Sequence, residues 1–219
     1  MNSAVRKSMF ISFEGIDFCG KSTQVELLKD YLLKANKLVE IIREPGGTEI
    51  SEKIRKILLD KNHSEFFMET EIFLFSASRA QLVREKIRPY LKKGYFVISD
   101  RFHDSSTAYQ GFGRGIPLES ILQIHRLAVG ETIPDLTFLL DITVEEMEKR
   151  KFSRLKLLRK EPDRIEISDK EFFNRVRDGY LYLAKKEQRF KIIDGTKNIN
   201  VIHNQIINEL SLVIKKELV

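Results

Sequence analysis

Five short apolar segments recur along the chain, and each of them is followed by a charged residue. They lie at residues 9–13, 38–42, 95–99, 136–140 and 190–193. The apolar residues in these segments are mostly consecutive instead of alternating with polar ones, a pattern typical of strands that are buried on both faces. The pattern therefore predicts five β-strands in a sheet that helices cover on both sides.

The stretches between these segments carry apolar residues three and four positions apart, which is the spacing of an amphipathic helix. Pro89 lies inside the second of these stretches, where it is expected to bend or divide a helix. Strands that alternate with helices predict an α/β fold of three layers with a parallel five-stranded sheet, and ligands should gather at the carboxyl ends of the strands. The predicted helices span residues 21–35, 50–59, about 68–92, 118–129, from about 144, 169–188 and 199–216.

Length and composition narrow the class of protein. A chain of 219 residues that is 42% hydrophobic can bury a core, which excludes global disorder and suits one domain spanning residues 1–219. Cys19 is the only cysteine, so an intrachain disulfide is excluded and a reducing compartment fits. The segment 9–13 ends at Glu14, too soon for a signal peptide, and no later run approaches a membrane span. We therefore expect a cytoplasmic protein with no membrane partner.

The net charge of +6 has two interpretations. It is either a lysine-rich surface that aids solubility, or the complement of a partner rich in phosphate. Such a partner could be a nucleotide or a nucleic acid, and charge alone does not choose between them.

The first predicted strand leads into a phosphate-binding loop. Residues 15–22 read Gly-x-x-x-x-Gly-Lys-Ser, the P-loop pattern, between a strand and a helix as that motif requires. The glycines let backbone N–H groups turn onto phosphate oxygens, and the helix start adds its positive dipole end. Lys21 is expected to reach the β- and γ-phosphates, and the Ser22 hydroxyl to ligate Mg²⁺. The predicted nucleotide-binding residues are Gly15, Ile16, Asp17, Phe18, Cys19, Gly20, Lys21, Ser22 and Thr23.

GTPases, ATPases and small-molecule kinases share this loop, so other segments must separate them. A GTPase would usually carry Asn-Lys-x-Asp to read guanine, but the nearest segment, residues 36–39, lacks the Asp and precedes a strand. Three further segments are informative: residues 43–48 read Arg-Glu-Pro-Gly-Gly-Thr, residues 75–79 read Phe-Ser-Ala-Ser-Arg, and residues 100–111 run from Asp-Arg-Phe to Tyr-Gln-Gly. Together with the P-loop they resemble the signature segments of bacterial thymidylate kinases, in the same order over about residues 9–195.

The resemblance implies a P-loop kinase domain that uses ATP and Mg²⁺ to phosphorylate dTMP to dTDP, for dTTP synthesis, and that forms a homodimer. One departure is Phe102, where the family usually has tyrosine. The ring is kept and the hydroxyl is lost, so we assign this position to packing. Two rivals stay open: a kinase for another nucleoside monophosphate, and a P-loop ATPase or nucleic-acid-binding module.

Residues of the acceptor site argue against both rivals. Phe75 and Arg79 are four residues apart and share one helix face. A ring beside a guanidinium can stack on a pyrimidine while the arginine hydrogen-bonds its carbonyl edge, although spacing alone also allows a core phenylalanine and a surface arginine. The resemblance favours the first interpretation and predicts no nucleic-acid partner. By resemblance, the acceptor-binding residues are Asp17, Glu44, Pro45, Arg55, Phe75, Arg79, Arg101, Ser106, Tyr109, Gln110 and Tyr180.

The resemblance also implies roles. Arg101 should clamp the acceptor phosphate, because its planar fork binds two oxygens at a time, and Asp100 should hold Mg²⁺ or its water shell. An Asp-Arg pair could instead be a structural salt bridge, and Arg55 could be one more exposed basic residue. Asp17 should bind the 3′-OH of the deoxyribose or act on the metal, and Pro45 should pack near the deoxyribose. Tyr109 should crowd the 2′ position of the sugar. Ser106 and Gln110 should lie near the edge of the base, and Tyr180 should close over the bound nucleotide.

The reaction needs no general base. The second pKa of a phosphate ester is about 6, so the attacking oxygen of a monophosphate is already largely anionic at neutral pH. Catalysis then reduces to positioning and to stabilising charge, for which Lys21, Mg²⁺ and several arginines are suited.

A basic segment supplies candidate arginines. Some family members carry an arginine in the P-loop just after the Asp, but here that position is Phe18. Members without it use a mobile lid after the fourth strand, and residues 149–164 lie there, with eight basic residues among sixteen. The alternative is a solvated helix face or a nucleic-acid patch. The predicted catalytic residues are Asp17, Lys21, Arg101, Arg150, Arg154 and Arg159, with Arg164 a weaker candidate.

Overall fold

The computed structural model describes residues 8–63, 65–159 and 161–216. Its sheet has the strand order β2-β3-β1-β4-β5, and every pair of neighbouring strands is parallel. The α/β class and the parallel five-stranded sheet are therefore confirmed. Lys160, which falls inside the predicted lid, lies outside the described residues. The strands are β1 (Met9–Glu14), β2 (Val39–Arg43), β3 (Phe96–Asp100), β4 (Leu136–Asp141) and β5 (Phe190–Asp194).

Nine α-helices and two π-helical turns surround the sheet in the described part of the chain. The long helix predicted over 68–92 is interrupted by the first π-helical turn, just before Pro89, whose missing N–H cannot continue a regular ladder. The helices are α1 (Lys21–Lys34), α2 (Glu49–Leu59), α3 (Met68–Leu82), α4 (Arg88–Lys92), α5 (His103–Ser106), α6 (Leu118–Val129), α7 (Val144–Leu158), α8 (Lys170–Lys186) and α9 (Ile199–Lys216), and the π-helical turns are Val83–Ile87 and Thr107–Gly113.

Alternate side chains of β1 point into two separate cores. Phe10 packs with Leu82, Val97 and Phe102 on one face of the sheet, whereas Phe13 packs on the other face with residues from α1, α8 and α9. The period of two along a strand produces this division. Helices thus cover both faces, as the consecutive apolar segments predicted.

The strand ends bring the predicted site segments to one edge of the sheet. Phe13 at the end of β1 is in register with Asp100 at the end of β3, and the Arg101 N–H donates to the Phe13 carbonyl. A cleft of about 930 Å³ opens at this edge between the loops after β1, β2 and β3 and helix α7. None of the described helices is both long and apolar enough to span a bilayer.

Candidate active site

The P-loop wraps the start of α1. Gly15 and Gly20 adopt φ values of +136° and +103°, and a Cβ on Gly15 would lie 2.5 Å from the Leu140 carbonyl oxygen, so only glycine fits there. The Lys21 Nζ donates to the carbonyl oxygens of Gly15 and Ile16, at 3.2 and 2.9 Å. No described side chain caps α1, and its first residues, Lys21, Ser22 and Thr23, line the cleft. This arrangement can hold a polyphosphate.

Ser22 and Asp100 form the candidate metal site. The Ser22 hydroxyl donates to Asp100 Oδ2 at 2.6 Å, and both residues line the cleft. Among the described residues no group of three or more His, Cys, Asp or Glu could enclose a metal ion. A hydroxyl and one carboxylate beside a phosphate loop suit Mg²⁺, which takes hard oxygen ligands and keeps waters and substrate phosphates as the rest of its shell.

Arg101 is held by five hydrogen bonds. Its Nη1 donates to the Gly15 carbonyl, Ser105 and Tyr180, and its Nη2 donates to Asp17 Oδ1 at 2.7 Å and Tyr109 at 3.0 Å. These contacts fix the guanidinium beside the P-loop, where it lines the cleft. The ion pair of Arg101 is with Asp17, and Asp100 bonds to Ser22 instead, so the alternative of an Asp100–Arg101 bridge is not what forms.

Asp17 lies between Arg101 and Tyr109. The Tyr109 hydroxyl donates to its Oδ2 at 2.9 Å. Burial acts to raise the pKa of Asp17, but the charges of Arg101 and Lys21 outweigh it and hold the pKa below its usual value. The carboxylate is therefore ionised at neutral pH and can accept a hydrogen bond from a ligand in the cleft.

A buried ion pair forms the far wall of the cleft. Arg79 is 1% exposed, and its Nε donates to Glu44 Oε2 at 2.6 Å, while its Nη2 donates to Ser106 at 3.0 Å and to the Phe102 carbonyl. Because Arg79 is buried, the alternative of a surface arginine is wrong. Burial raises the pKa of Glu44 to about 7, against the lowering effect of the Arg79 charge.

Two atoms of this pair have no partner among the described residues. Arg79 Nη1 and Glu44 Oε1 are buried without a hydrogen bond to any described residue, although both residues line the cleft. Buried polar atoms are rarely left unpaired, so this donor and this acceptor point to a polar ligand. Phe75 lies on the same helix face and also lines the cleft. The wall therefore combines a flat apolar side chain with one free donor and one free acceptor.

Helix α7 forms the opposite wall. Arg150 and Arg154 are four residues apart on it, and both line the cleft. Arg150 donates from Nε to Glu146 at 2.7 Å and from Nη2 to the Gly195 carbonyl at 3.0 Å. Arg154 is exposed and makes no ion pair with a described residue. Two guanidinium groups thus face the P-loop from α7.

Comparisons with known proteins agree with this geometry. The family model described as thymidylate kinase matches residues 13–206. The chain belongs to the thymidylate kinase family. It is 48% identical to the thymidylate kinase of Kosmotoga olearia over 95% of this chain and 98% of that protein, and 45% identical to that of Thermoanaerobacter sp. strain X514 over 97% and 100%. The crystal structure of thymidylate kinase from Ehrlichia chaffeensis has a TM-score of 0.73 at 35% identity, covering 93% of this chain and 98% of that one.

Most residues predicted from the resemblance to thymidylate kinases meet in the cleft. Arg55 is partly buried and donates to the Pro45 carbonyl at 2.7 Å, so it is not simply an exposed basic residue. The residues that line the cleft are Asp17, Phe18, Gly20, Lys21, Ser22, Thr23, Glu44, Pro45, Arg55, Phe75, Arg79, Asp100, Arg101, Ser106, Tyr109, Gln110, Arg150 and Arg154.

Some predicted residues lie elsewhere. The side chains of Ile16 and Cys19 are buried in the core, but their backbone belongs to the P-loop, so their contact with a nucleotide stays a prediction. Tyr180 is buried behind Arg101, where its hydroxyl contacts Ser105, instead of closing over the cleft. Arg159 lies past the end of α7 in a left-handed conformation and lines a shallow depression away from the cleft, because the chain turns there.

Arg164, the weaker lid candidate, is buried and pairs with Glu71, so it anchors the segment after α7 to the rest of the molecule. The three arginines at positions 150, 154 and 159 therefore do not share one surface in this structure. Only the first two lie where a nucleotide on the P-loop could meet them.

Glu14 is a site residue that sequence reasoning missed. At the end of β1, its Oε1 accepts from the Phe102 N–H at 2.7 Å, and its Oε2 accepts from Ser105 at 2.6 Å and Tyr180 at 3.0 Å. Burial, with a contribution from Asp104, raises its pKa to about 7. The signal in the sequence is a carboxylate that directly follows five buried strand positions. Glu14 supports Arg101 through the hydroxyls that both contact.

Proposed function

We propose that this protein transfers the γ-phosphoryl group of ATP to dTMP, giving ADP and dTDP. The observation that carries the proposal is the shared cleft: a P-loop at one end, and at the other a buried pair with one free donor and one free acceptor beside Phe75. A thymine ring carries both carbonyl acceptors and an N3–H donor, so its edge matches such a wall. Membership of the thymidylate kinase family supports the same substrate.

Positioning supplies the catalysis. Lys21 and the N–H groups of the P-loop hold the donor phosphates, while Arg101 holds the acceptor phosphate. Asp17 orients Arg101 and accepts from the 3′-OH of the deoxyribose. Arg150 and Arg154 approach from α7 and stabilise charge on the transferred group. Ser22 and Asp100 would hold Mg²⁺, which would supply positive charge to neutralise the phosphates.

The acceptor phosphate is its own nucleophile. Because its second pKa is about 6, an oxygen of dTMP is already anionic at neutral pH and no side chain has to remove a proton. Tyr109 is fixed by hydrogen bonds to Asp17 and Arg101, so its ring is rigid where a ribose 2′-OH would lie. This rigidity supports the preference for a deoxynucleotide.

We further propose that two copies associate through the outer face of α3 and α6. Phe73 on α3 and Leu122 on α6 are 61% and 53% exposed, and the two helices pack side by side. Large exposed side chains on adjacent helices favour an apolar partner, and a second copy presents the same face. Phe73→Asp should convert a dimer to a monomer in sedimentation analysis, whereas Phe152→Asp, on exposed α7, should not. The buried free Cys19 supports a reducing compartment such as the cytoplasm.

A coupled assay with ATP, Mg²⁺ and a panel of nucleoside monophosphates tests the function. We expect strong turnover of dTMP, weaker turnover of dUMP and negligible turnover of the others. Lys21→Met should abolish it, while Lys29→Met, exposed on the same helix, should leave it unchanged. Faster turnover of another nucleoside monophosphate would show that dTMP is not the substrate. ATP hydrolysis that DNA stimulates would favour a P-loop ATPase or nucleic-acid-binding module instead.

A further inference from the structure

Glu71 lies beneath the acceptor wall of the cleft, at the first turn of α3. Its side chain is 2% exposed, and three donor groups surround its carboxylate. Gln110 Nε2 donates to Oε1 at 2.9 Å, Arg114 donates to both oxygens at 3.2 and 3.3 Å, and Arg164 forms an ion pair in which its Nη1 lies 2.7 Å from Oε2. Burial acts to raise the pKa of Glu71, but these donors and charges lower it overall. The carboxylate is ionised.

An ionised carboxylate only accepts hydrogen bonds, and this decides how Gln110 is oriented. An amide side chain can present either NH₂ or oxygen to a neighbour, but only the NH₂ group can face Glu71. The other branch of the amide, Oε1, then remains as an acceptor, and no described residue donates to it. Gln110 lines the cleft. Glu71 therefore determines that Gln110 offers the cleft an acceptor and not a donor.

We propose that Glu71 is a positioning residue that sets base specificity by holding the Gln110 amide in this orientation. The proposal rests on the proposed function, in which a pyrimidine edge meets this wall. Thymine and uracil carry an N3–H, which an oxygen acceptor matches, whereas N3 of cytosine is itself an acceptor and would oppose Oε1. Arg79 Nη1, a free donor in the same wall, suits the 4-oxo group that thymine has and cytosine lacks.

The substitution Glu71→Gln tests the proposal directly. An amide at position 71 has one oxygen instead of two, and arginines cannot exchange donors for acceptors. Arg164 is the more buried arginine and makes the shortest contact, at 2.7 Å on Oε2, so we expect the amide oxygen in that place. Arg114 Nε would then meet the NH₂ group at the Oε1 position, but Arg114 is 27% exposed and has room to turn towards solvent. The new NH₂ group then faces Gln110, which must turn its own oxygen towards it and its NH₂ towards the cleft. A donor would then oppose N3–H of thymine and would match N3 of cytosine.

The experiment compares kcat/KM for dTMP, dUMP and dCMP in the wild-type protein and in Glu71→Gln. We expect the dTMP-to-dCMP ratio to fall by about 10- to 100-fold, since a mismatched buried hydrogen bond typically costs one to two powers of ten in affinity. The dTMP-to-dUMP ratio of kcat/KM should stay within about twofold of its wild-type value, because both bases carry N3–H. A ratio does not depend on the fraction of folded enzyme, so simple destabilisation would move neither value. Glu69→Gln, exposed two residues earlier on α3, is the matched control and should change neither ratio.

Two outcomes overturn the proposal. One is a Glu71→Gln protein that keeps the wild-type dTMP-to-dCMP ratio. The other is a Gln110→Met protein that keeps it, a test that remains if Glu71→Gln does not fold. When both single variants lower the ratio, adding Glu71→Gln to Gln110→Met should lower it no further, because the amide that it orients is gone. If the wild-type protein does not phosphorylate dTMP at all, the proposed function fails, which is a separate result from an unchanged ratio.

Discussion

The acceptor pocket and the α7 wall face each other across one cleft, but they hold their arginines in different ways. Arg79 and Arg101 make three and five hydrogen bonds to protein groups. Arg154 on α7 is exposed and pairs with no described residue, and Arg150 makes two hydrogen bonds, one to Glu146 on the same helix and one to the Gly195 carbonyl after β5. The acceptor side is thus held in place before a ligand binds, whereas on the α7 side Arg150 is only partly held and Arg154 is left exposed for a ligand to order.

This difference has a physical cause. A guanidinium out of water needs partners for its donors, so the acceptor arginines are stable only within a network of Glu44, Asp17 and several hydroxyls. An exposed guanidinium keeps its hydration and costs little until phosphates replace the water. Substitutions on the acceptor side should therefore affect both stability and activity, whereas those on α7 should affect activity alone.

The largest effect is expected for Arg101→Lys. Lysine keeps the charge but cannot bind two phosphate oxygens with one planar fork or reach both Asp17 and Tyr180. We expect kcat/KM for dTMP to fall by about 10³-fold. Steady-state kinetics with Arg126→Lys, exposed on α6, as the control measures this. A loss below about threefold would mean that Arg101 does not contact the acceptor.

The next effect is on stability. Arg79→Met removes one partner of a fully buried ion pair and leaves Glu44 without it, which should lower the free energy of unfolding by about 3 kcal/mol. Arg154→Met should change it by less than about 0.5 kcal/mol, because that side chain is exposed. Urea denaturation of the two variants compares them directly. Equal losses would contradict the contrast between the two walls.

A pH dependence should follow from Glu14. Its pKa is about 7 in the native state and 4.5 when unfolded, so between these values the native state binds more protons and stability falls as pH rises. The contribution of Glu14 to the free energy of unfolding is fully present below pH 4.5 and is lost as the pH rises through 7. About 2 kcal/mol of this contribution is lost between pH 5.5 and 7.5.

Burial lowers the pKa of His103 to about 4 and that of His125 to about 2, so these two groups act in the opposite direction over this pH range. The test is therefore the difference in the free energy of unfolding between the wild-type protein and Glu14→Gln, which urea denaturation should show to change by about 2 kcal/mol between these two pH values. Some slope will remain in Glu14→Gln, because Glu44 titrates in the same range. Glu26→Gln, exposed on α1, should leave the wild-type slope. If Glu14→Gln keeps the full slope as well, Glu14 does not carry a raised pKa.

The smallest effect is expected from substituting Arg154 on α7, compared with Arg159 just past the end of that helix. Arg154→Ala should lower kcat about tenfold with little change in KM for dTMP, because the group acts on the transferred phosphoryl and Arg150 shares the task. Arg159→Ala is the matched comparison and should change kcat by less than about twofold, since that side chain lies outside the cleft. A larger loss at Arg159 would show that this segment moves into the cleft during turnover.

Periodic sequence patterns predicted the sheet and most helices, but they did not predict that the segment 103–113 is helical. It is rich in serine and glycine and has no apolar period of its own, and it becomes helical by packing against α8. Gly113 lies so close to Phe172 that a Cβ would approach its ring to 2.6 Å. That closeness, and not local propensity, shapes the segment.

The sequence by itself determined the strand-loop-helix context of the P-loop, the shared helix face of Phe75 and Arg79, and the family. These follow from residues close together in the chain. The tertiary structure decided that Glu14 lies behind Arg101, that Glu71 meets Gln110, and that Arg159 turns away from the cleft. Each of these depends on contacts between segments far apart in sequence, where burial and hydrogen-bond geometry select one arrangement that no local pattern encodes.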